Sequence, residues 1–166
     1  VAAPVVSGGG DAGAPSAQAG GAAAGAPACP FCRIVTGAEP ASVVHADDDV
    51  VAFLDVVPVN TGHVLVVPRA HATGLADLPE AAGAAVWRVA HRIGARMRQD
   101  PAWADGVNLH LSDGEAAHQT VGHVHLHVIP RRTGDGLRIV KDGATHRPAR
   151  DELDAVAARL RQALHA

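Results

Sequence analysis

At 166 residues and 48% hydrophobic composition, the chain suits one domain with a single core plus some sequence outside it. A formal charge of −3 and the lack of any Lys/Arg run exclude a basic groove tracking a nucleic acid backbone, so no nucleic acid polymer is expected as partner. No apolar stretch reaches the roughly 18 residues that span a bilayer and no basic segment precedes an apolar run near the start, so the expectation is a cytoplasmic protein without a membrane partner.

Residues 1–28 are almost entirely Ala, Gly and Pro with one charge, Asp11. Such sequence cannot bury enough apolar surface to offset ordering entropy, which predicts a disordered tail. The domain is expected over residues 29–140, and residues 141–166 form a C-terminal extension. After CPFC, the segment RIVTG suits a short helical turn ended by Gly37, and VVHADDDVVAFLD suits two strands joined at Asp47 to Asp49. NTG makes a turn ahead of HVLVVP, a strand that Pro68 terminates. Asp77 and Glu80 form a capping-box pattern, and Ala82, Val86, Val89, Ile93 and Met97 then keep helical spacing, predicting a helix from Leu78 to Gln99. Arg88, Arg92 and Arg96 fall on its solvated side. GVNLHL and HVHLHVI read as the fourth and fifth strands. Beyond Asp151, an amphipathic stripe of Leu153, Val156, Ala157, Leu160 and Leu164 predicts a C-terminal helix packed on the domain or on a partner. Strands outnumber helices without βαβ alternation, so the fold class is α+β, with a mainly antiparallel five-stranded sheet, one long helix and short terminal helices.

In HVHLHVIP, His123 to Pro130, strict alternation places His123, His125 and His127 on one strand face and Val124, Leu126 and Val128 on the other. At about 3.3 Å rise per residue, neighbouring rings start about 6.6 Å apart, close enough to converge on a metal or to surround a phosphate-sized anion. A neutral imidazole is a competent nucleophile toward phosphorus, and a flanking one can carry the proton that a departing group needs. A His-x-His zinc site or surface histidines are the plainer readings, against which Gln119 and Thr120 just upstream weigh. Cys29 and Cys32, the only cysteines, supply half of a tetrahedral zinc site, with a redox dithiol or two inert thiols as alternatives.

Extended backwards to SDGEAAHQTVGHVHLHVIPRR, and joined by CPFCRIVTGAEPA and VVAFLDVVPVNTGHVLVVPRAH in the same order, residues 29 to 136 resemble the histidine triad nucleotide-binding family, of the bacterial type with a Cys-x-x-Cys half-site. The resemblance implies that His125 attacks an α-phosphorus to form a covalent nucleotidyl-histidine, with His127 beside the phosphate and His63 supporting the triad. It implies substrate binding by Asp55 at the ribose, by Ser112, Gln119 and Thr120 near the phosphate, and by Phe31, Ile34, Phe53, Val56 and Leu65 around the base, though these apolar residues also suit ordinary core. It completes a structural zinc site with His71 and His123 beside Cys29 and Cys32, involves no organic cofactor, and implies a homodimer through GVNLHL and the long helix. The activity implied is hydrolysis of nucleoside 5′-phosphoramidates and related nucleotidyl conjugates to a nucleoside monophosphate, AMP foremost. A dinucleoside polyphosphate hydrolase, a purine nucleotide-binding protein with little turnover, and a catalytic-zinc enzyme on the three histidines are the competing readings.

Three positions depart from the family pattern. Ser112 stands where relatives carry Asn or Gln, His118 replaces the residue, usually Gly, before Gln119, and Gly122 sits where a larger side chain is usual.

Overall fold

The β-branched runs VVAFL and VLVVP become adjacent strands in the computed structural model, which describes residues 29–137 and 148–164. The expected tail over residues 1–28 and the expected boundary at residue 140 lie outside the described residues. The chain divides into two units after Thr133.

The first unit contains α1 (Pro30–Val35), β1 (Val43–Ala46), β2 (Val50–Leu54), β3 (Val64–Pro68), α2 (Glu80–Gln99), β4 (Gly106–Leu111), a 3-10 turn (Glu115–Ala117) and β5 (Leu126–Arg131). The strands form one antiparallel sheet in the order β1-β2-β3-β5-β4, as the α+β reading predicts. β2 and β3 are buried on both faces, which suits their near-continuous apolar sequence. On one face Val64, Val66, Leu126 and Val128 pack with Val86, Val89, Ala90 and Met97 of α2. On the other, Val51, Phe53, Leu65 and Val67 pack with Phe31 of α1.

Local chemistry explains most element ends. Pro30 opens α1 at a position where its missing N–H costs nothing, and Gly37 (φ +77°) closes it in the left-handed region. Asp47 accepts from the Asp49 and Val50 amides (3.1 and 2.8 Å), fixing the β1–β2 turn. Gly62 (φ +90°) makes the turn into β3, where a side chain would strain the backbone and meet the Trp103 ring.

Two expectations change. Asp77 does not cap α2: its carboxylate accepts from the Thr73 and Gly74 amides, both at 2.8 Å, so it closes the preceding loop, and the helix begins at Glu80 behind Pro79. The fifth strand begins at Leu126, not His123. Its ladder with β3 reaches only Val66↔Leu126, because the Val124 amide donates to Ala72 (2.7 Å) and His123 turns its ring to the Pro68 carbonyl. Burial does not alternate along it: Val124, Leu126 and Val128 are buried, and so are His123 and His125, with only His127 partly exposed.

In the second unit, α3 spans Arg150–Leu164 as its spacing predicts. None of its residues is buried, and Leu153, Val156, Leu160 and Leu164 are exposed.

Candidate functional site

His125 sits at the end of the chain segment leading into β5, 4% exposed, with Phe31 edge-on at 5.2 Å between centroids. Its Nδ1–H donates to the His123 carbonyl (2.7 Å). A neutral ring whose proton is held at Nδ1 has its lone pair on Nε2, so this bond selects the tautomer in which Nε2 is free to attack. His127 lies beside it, ring centroids 4.9 Å apart.

His63, placed just ahead of β3 by the NTG turn, supports His127. Its Nε2 is 2.8 Å from His127 Nδ1. On its far side, Nδ1 faces both the Val59 amide and the Asp55 carboxylate, each at 3.3 Å. When Nδ1 accepts from Val59, the His63 proton sits on Nε2 and is donated to His127 Nδ1, which leaves the His127 proton on Nε2. A protonated Nδ1 instead turns to Asp55. The Asp55 carboxylate also accepts from the Val57 amide (2.9 Å), so it is held at the mouth of the site.

Burial pushes His127 down to about 4, helped by the neighbouring His125, His63 and His110 rings, and burial likewise lowers His63 against the opposing pull of Asp55. Both rings are therefore neutral at pH 7. Because the unfolded chain protonates first, the stability these histidines confer is present above about pH 6.5 and is lost as pH falls toward about 4. The lowered Asp47, Asp77 and Asp105 carboxyls act only below that window. The melting temperature should accordingly fall between pH 6.5 and 4.5; a flat profile across that range would show that these rings titrate alike in the folded and unfolded chain.

The second cluster lies one step back along the same segment. His123 is fully buried, and its Nε2–H donates to the Pro68 carbonyl (2.9 Å), leaving the Nδ1 lone pair free. That atom is 3.5 Å from Cys29 Sγ, 3.5 Å from Cys32 Sγ and 3.3 Å from His71 Nδ1, and Cys32 Sγ is 3.3 Å from His71 Nδ1. All four ligand atoms fall within 4.8 Å of one another. A tetrahedral zinc ion, with Zn–S of about 2.3 Å and Zn–N of about 2.05 Å, requires S···N edges of about 3.5 Å and an N···N edge of about 3.3 Å. The donor set thus fits a tetrahedral metal, and the Pro68 carbonyl supplies the outer hydrogen bond that orients a ligating histidine. Without a cation, burial and the adjacent Cys29 push the Cys32 thiol up to about 11.

A cavity of about 540 Å³ opens beside His125 and His127. Phe31, Ile34, Phe53, Val56 and Leu65, the expected base-lining residues, all lie on its wall, as do Asp55 and Thr120. Phe31, Phe53 and Leu65 are buried, whereas Val56 is 92% exposed at the rim. A larger hollow of about 670 Å³ lies elsewhere, lined by Val44, Ile93, Met97 and Trp103. Its Arg92 and His45 contact each other (3.3 Å), and it contains none of the triad.

The loop after β4 is braced by Gln119, expected as a substrate ligand. Its amide nitrogen donates to the Thr73 and Val121 carbonyls (2.7 and 3.0 Å), and its oxygen accepts from the Gly114 amide (2.8 Å). The side chain therefore positions Thr120 while its polar atoms are engaged with the loop. His118 is exposed and left-handed (φ 61°), which explains why glycine suits that position. At Gly122 an added Cβ would meet only the Thr73 methyl carbon, at 3.5 Å.

Ser112 is buried but stands apart from the cavity wall, with Oγ 3.1 Å from His110 Nε2. His110 was not anticipated. The β4–β5 register places it directly opposite His127, ring centroids 5.9 Å apart. Alternation continued one residue past GVNLHL puts His110 and Ser112 on one face, but pairing register is not written in the strand itself.

Comparison with known proteins matches residues 36–134 to the HIT domain. An uncharacterized HIT-like protein of Mycobacterium tuberculosis is 42% identical over 113 residues, 68% of this chain and 78% of that protein. The adenosine 5′-monophosphoramidase HNT1 of Saccharomyces cerevisiae is 34% identical over 105 residues, 63% of each. Among solved structures, a Zn-bound histidine triad family protein from Mycobacterium smegmatis is 40% identical, with a TM-score of 0.66 over 84% of this chain and 99% of that one. With the triad, its sheet and this match running over more than half its length, the chain belongs to the histidine triad (HIT) family.

Proposed function

We propose that this protein hydrolyses nucleoside 5′-phosphoramidates and related nucleotidyl conjugates, releasing a nucleoside monophosphate, AMP foremost. The observation that carries this reading is the His125 ring, whose Nδ1–H is tied to the His123 carbonyl while Nε2 remains available beside a cavity of nucleoside size. The monophosphoramidase relative supports the same chemistry.

In this mechanism, the base lies among Phe31, Ile34, Phe53, Val56 and Leu65, and Asp55 accepts from the ribose hydroxyls. The His125 Nε2 lone pair attacks the α-phosphorus, a P–N bond forms, and the bond to the amine breaks as the amine takes up a solvent proton. The positive charge on the phosphorylated ring is stabilised by the Nδ1–H bond to the His123 carbonyl. Thr120 and the neutral His127 serve the phosphoryl oxygens as donors. Water then attacks phosphorus and loses its proton to solvent, and the lone pair returns to Nε2. Quenching a reaction with adenosine 5′-phosphoramidate in alkali should trap an adenylyl group on the peptide containing His125. Turnover with that peptide unmodified at every time point would refute a covalent carrier.

Cys29, Cys32, His71 and His123 would hold a structural Zn²⁺, which, when bound, cross-links α1 to the segment before β5 and takes no part in the chemistry. A reduced thiolate pair of this kind suits the cytoplasm. We also propose a homodimer that continues the sheet across β4. Among the described residues β4 is an edge strand, and exposed Trp87 and Leu75 border a 440 Å³ hollow with Leu109 and Leu111 beside it. Light scattering should give twice the chain mass for the parent and the chain mass for Trp87→Glu; equal masses for the two would place the contact elsewhere.

A further inference from the structure

We propose that His110 and Ser112 form a subsite for the leaving group, one that takes a group carrying an oxyanion, such as a phosphate, next to the scissile bond. This inference rests on the nucleotide reading of the site.

The sheet order sets the direction. The cavity assigned to the nucleoside lies over β2, β3 and α1, through Phe53, Leu65 and Phe31. His127 separates it from β4: it pairs with Leu65 of β3 on one side and with His110 of β4 on the other. A nucleoside in the cavity brings its phosphate to His125 and His127. Whatever is bonded beyond that phosphorus continues over β5 toward β4, where His110 stands exposed and Ser112 lies just beneath it.

The chemistry of the pair sets the kind of group. An imidazole in its neutral form has one N–H and Ser112 has one O–H, and the hydrogen bond between His110 and Ser112 (3.1 Å) uses one of these two protons. If His110 Nε2–H donates, the serine O–H is left over; if the serine donates, the proton of His110 is on Nδ1 and left over. Either tautomer presents one donor to the site. Ser112 alone has a short arm, and His110 extends its reach. A donor at this distance from His127 suits acceptor oxygens on the departing group and gives nothing to ammonia or a simple alkylamine.

ADP and AMP separate this subsite from the rest of the site, since the β-phosphate of ADP occupies the place of a leaving group. Calorimetry of parent, His110→Val and His110→Gln proteins should show ADP weakened about tenfold by His110→Val, as expected for a lost hydrogen bond to a charged group, with AMP within twofold of the parent. His110→Gln, which keeps a donor, should recover most of the ADP affinity. Parallel weakening of both nucleotides, or no change in either, would overturn the subsite. The measurement needs no turnover, so failure to trap adenylyl-His125 would sink the hydrolase reading and leave this result legible.

Discussion

His125→Ala should reduce turnover of adenosine 5′-phosphoramidate by at least about 10⁴-fold while AMP binds within a few-fold of the parent. Removing a covalent nucleophile commonly costs a large part of the rate enhancement, and nothing nearby can substitute. The His127 Nδ1 faces His63 at 2.8 Å and its Nε2 carries the proton when His63 donates, while the His123 ring is tied to Pro68 and faces the two cysteines. The side chain of His125 contributes little to the cavity's apolar wall, which is why binding survives. Steady-state kinetics paired with calorimetry gives both numbers. A variant with near-parent turnover would remove this ring from the mechanism, and equal loss of turnover and affinity would make it a binding residue only.

Stripping the metal, or replacing Cys32 with Ser, should lower the melting temperature by more than 10 °C while the folded fraction keeps most of its kcat. Binding energies of structural zinc sites run to about 10 kcal/mol or more, and even a fraction of that, about 3 kcal/mol, moves a domain of this size by about 10 °C. An ion held by the four donors would tie α1 to the segment before β5 and so fix Phe31, which packs on both His123 and His125. Thermal melts with metal analysis, followed by assay well below the midpoint, distinguish the two roles a metal could have. Immediate loss of activity at unchanged stability would mean that the ion serves the reaction directly.

Much of this arrangement was legible in the sequence, because the period of an element is local information. Alternation in HVLVVP, GVNLHL and HVHLHVI gave the strands, and the spacing of Val86, Val89, Ile93 and Met97 gave α2. What escaped depends on partners distant in the chain. The capping pattern at Asp77 and Glu80 was misleading because the Thr73 and Gly74 amides compete for the same carboxylate. The fifth strand starts late because Pro68 and Ala72 draw the backbone and ring of the preceding residues away from the ladder. The hydrogen bonds of Gln119 to Thr73, Val121 and Gly114 were likewise invisible, because Thr73 lies in a different segment of the chain. His110 was invisible because only the register of β4 against β5 brings it to His127.

His123 holds both halves of the site at once. Its imidazole faces the two cysteines and His71, and its carbonyl accepts a hydrogen bond from the Nδ1–H of His125. Position 123 is therefore not free to drift even where no ion is held, since a shift of its peptide would remove the acceptor of the His125 Nδ1–H and let the proton settle on Nε2, where the attacking lone pair is needed. A bulky apolar side chain at 123 would wedge that peptide in place and so keep the neighbouring lone pair exposed even where the four-donor cluster is gone.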